Sequence, residues 1–224
     1  MFDLNLLAKK LTGCRSRLEY SYLEIFEGTG IQEERLKAFE HAQMEPTGDE
    51  ILILADFFRE DYKYFISNQQ SSASENTDSL YRQFGEEFTK EDRRAVQEFL
   101  YVCECEADVW SLLEDNTTPY QLPNMRFAVN DEAEKIASEV RILLGYKDNE
   151  LLQNIFDDFR KLGLHIFRRK LHNSSLSGIF IQHPVAGKCV LVNYSEDLYR
   201  QNFTVSHEVA HSIFDTNQLY NVSF

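Results

Sequence analysis

Apolar residues in this 224-residue chain keep a helical spacing over the first half and turn to strand-like runs only after residue 164. The pattern runs Leu4, Leu7, Ala8 and Leu11, then Leu23, Ile25 and Phe26, then Leu36 and Phe39, then Ile51, Leu54 and Phe57. These short periodic stretches predict four or five helices up to about residue 66. Glu27-Gly-Thr-Gly-Ile31 offers a glycine turn between the second and third, of the kind that joins the two helices of a helix-turn-helix. Thr47 or Asp49 can cap the helix that opens at Glu50. A longer amphipathic stretch, from Ala95 to Leu113, follows the capping residue Thr89. Further on, residues 164–168, 178–182 and 189–193 read as strands, the last two joined by the turn Pro184-Val-Ala-Gly187. Helices are expected over 130–144, 149–162 and 198–214. The fold class is therefore α+β, with an all-α first part and a small, mainly antiparallel sheet in the last.

Residues 68–79 are almost wholly polar and read as a flexible linker after a helical domain over 1–67. Residues 80–125 form an acidic helical connector, and residues 126–224 a final domain. A net charge of -14 repels nucleic acid over most of the surface. Runs such as Ile51-Leu-Ile-Leu-Ala55 are far shorter than the ~20 residues a membrane helix needs, so no membrane partner is expected. The start, Met1-Phe-Asp-Leu-Asn-Leu-Leu, has no basic region before its apolar residues, which argues against a secretory signal and for a cytoplasmic location. Four cysteines without a C-x-x-C pair read as reduced packing thiols. For Cys103 and Cys105 this follows from spacing, because i and i+2 on a helix point apart. His41, His165, His172 and His183 have no partner spacing and read as surface or strand residues.

The sharpest chemical signal is Ser206-His207-Glu208-Val209-Ala210-His211, an H-E-x-x-H in the last helix. Four residues bring His207 and His211 onto one face a turn apart, where both imidazoles reach one cation. Zinc suits two nitrogen ligands and acidifies water, and Glu208 is placed to take the proton as general base. Peptide hydrolysis is the chemistry that follows.

The wider pattern is more specific. Gly178-Ile-Phe-Ile, then Cys189-Val-Leu-Val-Asn-Tyr194, then Arg200-x-x-Phe203-Thr204-x-x-His207-Glu208-x-x-His211 resembles the ImmA/IrrE family of metallo-endopeptidases over residues 126–224. The resemblance implies a zincin-like fold, zinc on His207 and His211, Glu208 as general base, and cleavage of a bacterial protein target, often a repressor. A catalytic zinc normally has three protein ligands, and the family takes its third from an acid on a helix beyond the motif. Asp215, the only acid after His211, lies on the same helix, eight residues or about 12 Å of rise from His207. The metzincin position holds Asn217 instead of an acid or histidine. The third ligand is therefore expected beyond Phe224 and the domain incomplete at its C-terminal end, with Asp215 and His183 the next candidates within the chain.

Residues 4–67 resemble the Xre-type, lambda-repressor-like helix-turn-helix domain, with Leu7 to Leu11, Tyr22 to Phe26, Gly30-Ile31, Leu36 to Glu40 and Pro46 to Phe58 in the places of its helices and turn. DNA readout would then fall to Gln32, Glu33 and Arg35 with Lys37 behind them. Glu33 and Glu34 at the reading edge face phosphate repulsion, and Ala42, Gln43 and Met44 stand where basic phosphate clamps are expected. DNA binding and a domain turned to protein contacts therefore both stay open. The expectation for the whole chain is a bacterial or phage transcriptional regulator carrying a zinc-dependent endopeptidase domain; the alternative is a non-catalytic regulator that keeps the fold without a complete metal site.

Overall fold

The computed structural model describes residues 3–68, 75–113, 133–147, 149–215 and 218–224, apart from the side chains of residues 75, 76, 78 and 82. Two compact units divide the chain, residues 1–101 and residues 102–224.

The first unit is helical. Helix α1 (Leu4–Arg17) is capped by Asp3, α2 (Tyr22–Thr29) opens with a reciprocal Ser21 and Glu24 capping box, and α3 (Glu33–Glu40) follows a three-residue turn. Gly30 makes that turn possible, since its φ of 74° is a left-handed conformation that costs a glycine nothing. Helix α4 (Gly48–Phe58) has a second capping box, from Thr47 and Glu50, so of the two expected caps Thr47 is the one used. Helix α5 (Tyr62–Ile66) is pinned to α1 by the buried Lys10 ammonium, which donates to the carbonyls of Tyr64 and Ser67. Leu7, Leu11 and Cys14 of α1, Ile25, Leu36, Phe39, Leu54, Phe58 and Phe65 form one core. Its wholly buried phenylalanines are each worth about 1.5–3 kcal/mol of transfer free energy, which outweighs the modest helix propensity of such short segments.

Helix α6 (Glu75–Phe84) covers the later part of the expected linker over 68–79, and residues 69–74 lie outside the described residues. Buried Thr77, Leu80 and Tyr81 explain why this polar-looking stretch is ordered: its few apolar groups have a core to enter. Helix α7 (Lys90–Leu112) starts at a capping pair in which Thr89 and Asp92 each accept the other's backbone N–H. The division between the two compact units falls inside α7, at 101/102. Within α7, Val96, Phe99 and Leu100 are buried in the first unit and Cys103 in the second. The end of the expected connector, residues 114–125, lies outside the described residues.

The second unit is a four-stranded mixed sheet with helices on both faces. Helices α8 (Ala133–Leu143) and α9 (Ile155–Lys161) precede β1 (His165–Arg169), β2 (Gly178–His183), β3 (Gly187–Asn193), helix α10 (Leu198–Phe214) and β4 (Tyr220–Ser223). Strand order is β1-β3-β2-β4. β2 and β3 form the expected antiparallel hairpin, with Phe180 opposite Val190, whereas β1 runs parallel to β3, with Ile166 opposite Val190. The sheet is therefore mixed: β1 reaches β3 by a crossover that strand periodicity cannot reveal. The expectation also lacked β4, a four-residue strand antiparallel to β2.

Alternation sorts the two faces. Ile166, Phe180, Val190 and Val192 pack with Val205 and Val209 of α10 and Phe159 of α9. On the opposite face, His165 stacks on Trp110 at 4.4 Å and its Nδ1 lies 2.6 Å from a Glu106 carboxylate oxygen, while His183 lies 3.2 Å from Glu104. His165 and His183 are accordingly buried strand residues held by carboxylates of α7, on the face of the sheet turned away from α10. Lys188 of β3 donates to the Ser212 carbonyl at 2.8 Å and ties α10 to the sheet.

Candidate metal centre

Helix α10 takes its orientation from one stripe. Gln201, Thr204, Val205, Glu208, Val209 and Ser212 are its buried residues, the i, i+3, i+4, i+7 repeat of a helix laid on a sheet. Phe203 and Phe214 point away and are exposed, so the anchoring comes from Val205 and Val209 and not from the phenylalanines. Glu208 lies in the middle of the stripe. His207 and His211, each one residue earlier than a stripe position, lie along its border, where His207 is exposed and His211 half-buried. The motif's spacing thus separates its roles: the acid is sealed in and the imidazoles reach solvent.

The start of α10 is held by a second network. Asp197 caps the helix by accepting from the Arg200 amide at 3.0 Å. Glu196 accepts from Arg200 Nε at 2.9 Å, from the Ser177 hydroxyl at 2.7 Å and from the Thr204 hydroxyl at 3.4 Å. Glu196, Arg200 and Thr204 recur every four residues, and this gives Arg200 and Thr204 of the motif a structural role, because together they fasten α10 to the start of β2 through Ser177.

Next to that start is Gly178. A Cβ there would stand 2.5 Å from Thr204 Cγ2 and 3.0 Å from Glu208 Oε1, so only glycine lets α10 lie this close to β2. Glu208 has no solvent exposure, and neither of its carboxylate oxygens has a hydrogen-bond partner among the described residues. Burial pushes its carboxyl up to about 7, with the Ser223 hydroxyl and His211 pulling the other way. Ser223 Oγ does not reach hydrogen-bonding geometry with it, so burial decides the outcome. A carboxyl poised near neutrality can both take and return a proton at cellular pH.

The two imidazoles meet edge to face, with ring centroids 4.6 Å apart and their Nε2 atoms separated by 3.1 Å. Two nitrogens on one tetrahedral zinc, each at about 2.0–2.1 Å, stand about 3.3 Å from one another, close to this separation. His211 Nδ1 lies 2.6 Å from Asp215 Oδ2. A carboxylate only accepts, so Nδ1 carries the proton and the Nε2 lone pair is turned toward His207. Burial and His211 lower the pKa of His207, which favours the neutral ring that a metal requires. The pair therefore fits half of a tetrahedral zinc shell. Among the described residues no third His, Cys, Asp or Glu joins them in a metal-binding group. Asp215 holds His211 from behind instead of supplying a ligand, and His183 is on the other face of the sheet with Glu104. A cleft of about 400 Å³ opens beside the pair, lined by Arg200, Phe203, Asn221, Val222 and Phe224 among others.

In the first unit, the residues expected at a DNA-reading edge lie on or beside α3, and their charges are engaged. Arg35 makes a two-pronged contact with Glu50 of α4 at 2.8 and 2.9 Å. Lys37 lies 3.3 Å from Glu33, and Gln32 is exposed at the helix start without capping it. Any phosphate or base contact from Arg35 or Lys37 would have to replace these pairs.

Sequence reasoning missed two partners at the candidate centre, Asp215 as a support and Asn221, and also Ser223, whose hydroxyl lies near Glu208. The i, i+4 spacing of His211 and Asp215 carries the signal for the first. The others come from β4, which was not expected. Residues 159–222 match the family model of the IrrE N-terminal-like domain, Peptidase M78, which supports a metallopeptidase-like function for this stretch. No curated protein and no solved structure matches the chain.

Proposed function

We propose that the second unit is a zinc-dependent endopeptidase domain, and that the chain is a bacterial or phage regulator that uses it to cut a protein target such as a repressor. The observation that carries this reading is the convergence of His207 and His211 through Nε2 at 3.1 Å beside a sealed Glu208. Zinc held there supplies Lewis acidity, polarising the peptide carbonyl and acidifying water. His207 and His211 would hold it through their Nε2 atoms, and the described residues bring no third His, Cys, Asp or Glu to the pair. To take the proton of the attacking water and pass it to the departing amine nitrogen, the Glu208 carboxylate, sealed against β2 here, has to turn out toward the cleft beside the imidazoles. Arg200 and Thr204 keep α10 seated, so that the acid and the imidazoles stay in register.

A second reading is a non-catalytic regulator or protein-binding module. It is favoured by the ligand set, since the described residues supply two donors where a catalytic zinc takes three. The first unit, residues 1–101, would then carry the partner contacts or the DNA contacts by itself. One experiment separates the readings: the full chain with one equivalent of zinc is incubated with a proteome-derived peptide library, and cuts are read by mass spectrometry. Zinc-dependent cuts that vanish in Glu208→Gln support the peptidase; no cuts from a chain that retains zinc support the binding module.

A further inference from the structure

Strand β4 contributes more to the centre than an edge to the sheet. Asn221 and Ser223 are two residues apart and share a face of the strand. Register decides which face it is. Asn221 pairs with Phe180 and Ser223 with Gly178, and both partners look toward α10, Phe180 through its packing on Val205 and Val209 and Gly178 through its close approach to Glu208. Asn221 uses that face to donate from Nδ2 to Asp215 Oδ2 at 3.2 Å, the same oxygen that accepts from His211 Nδ1 at 2.6 Å.

We propose that Asn221 is a positioning residue: it fixes the Asp215 carboxylate, which in turn holds His211 as the Nδ1–H tautomer with Nε2 presented to the metal. Asp215 is the C-cap of α10, beyond the last helical residue, where the helix no longer sets the direction of its side chain. One contact with His211 leaves that carboxylate able to swing to solvent; the second, from β4, selects a single orientation. Asparagine is a poor strand residue, and at an edge position a β-branched side chain would stabilise the strand better. Its amide is engaged with Asp215 instead. Carboxylates behind ligating histidines commonly change metal affinity by 10–100-fold, because they set both the tautomer and the ring angle. Docking of β4 on β2 is thereby linked to the metal ligand through three hydrogen-bonded side chains, with no contact between Asn221 and the metal.

The inference takes its purpose from the peptidase reading, but its test does not depend on activity. In the metal-free, ¹⁵N-labelled full chain at pH 8, long-range ¹H–¹⁵N spectra should show His211 protonated on Nδ1, against the usual preference of imidazole for Nε2–H. Asn221→Val, which keeps the strand and removes the donor, should return His211 toward Nε2–H and weaken zinc binding about threefold to tenfold in competition with a chelator, a fraction of the loss expected when the carboxylate itself is removed. Asp215→Ala, outside the sheet, should abolish the Nδ1–H preference and weaken zinc by about 10–100-fold. An Nε2–H His211 in the unsubstituted chain, or an Asn221→Val variant with tautomer and zinc affinity both unchanged, overturns the proposal. A chain that shows the tautomer pattern yet cuts no peptide contradicts the peptidase reading and leaves the positioning link standing.

Discussion

Replacing Gly178 by alanine tests whether α10 is seated on β2 as closely as the centre requires. Gly178 does not have a positive φ, so alanine strains no backbone and the effect is purely one of contact. The new methyl would lie 2.5 Å from Thr204 Cγ2, 3.0 Å from Glu208 Oε1 and 3.1 Å from Glu208 Cγ. Ordinary carbon contacts are about 3.5–4.0 Å, so about 1 Å has to be absorbed between a strand and a helix that the core and the Glu196 network both hold in place. Overpacking of this kind costs about 1–3 kcal/mol. At about 2 kcal/mol, and a urea slope of about 2 kcal/mol/M, the midpoint of the second unit falls by about 1 M. The only tryptophan, Trp110, reports the transition of this unit by fluorescence, since it stacks on His165 of the same sheet. Thr204→Ser removes Cγ2 and keeps the hydroxyl, so in the double variant the closest clash is gone and at least half of the loss should be recovered, a coupling of about 1 kcal/mol. A wild-type midpoint for Gly178→Ala, or the same loss with and without Thr204→Ser, refutes the close seating of α10.

Three other outcomes are expected. Glu208→Gln should retain zinc and lose about two to four orders of magnitude in cleavage, measured on a peptide identified from the library; near-normal turnover would remove Glu208 from the role of base. Glu24 is held well below the usual carboxylate range, chiefly by Lys90 at 2.6 Å and also by Arg94 at 3.0 Å. A depressed folded pKa gives stability that is present above the unfolded value near 4.5 and is lost as pH falls below it. Glu24→Gln should therefore cost the first unit about 0.5–1 kcal/mol at pH 7 in urea unfolding, with the difference shrinking as the pH is lowered below 4.5; a pH-independent difference would contradict the assignment. For DNA, any affinity of the first unit should be modest, fall steeply with salt and drop further in Lys37→Ala, as read by fluorescence anisotropy at low salt. No bound sequence in such a screen favours protein contacts for this unit.

How legible each part was depends on which contacts decide it. Helices α1 to α5 and α10 follow from local periodicity and caps, and their signals lie within a few residues: Ser21 with Glu24, Thr47 with Glu50, Asp197 with the Arg200 amide. Strands β2 and β3 were legible because the hairpin between them is local. The parallel pairing of β1 with β3 was not, because its partners are 24 residues apart, as His165 opposite Cys189 shows, and no turn fixes their register. Helix α6 was hidden by its polar composition; among its described side chains the buried ones are Thr77, Leu80 and Tyr81. At the centre, His207, Glu208 and His211 were visible as a spacing, but Glu208's burial depends on Gly178 and β4, and His211's orientation on Asn221. A four-residue strand with Asn and Ser in it gives almost no alternation to read.

Zinc-edge X-ray absorption on the full chain loaded with one equivalent of zinc tests the central claim most directly. Two imidazole nitrogens per zinc at about 2.0–2.1 Å are expected, falling to one or none in His207→Ala. Zinc that fails to stay on the chain, or a spectrum unchanged by His207→Ala, would contradict a metal centre built on His207 and His211.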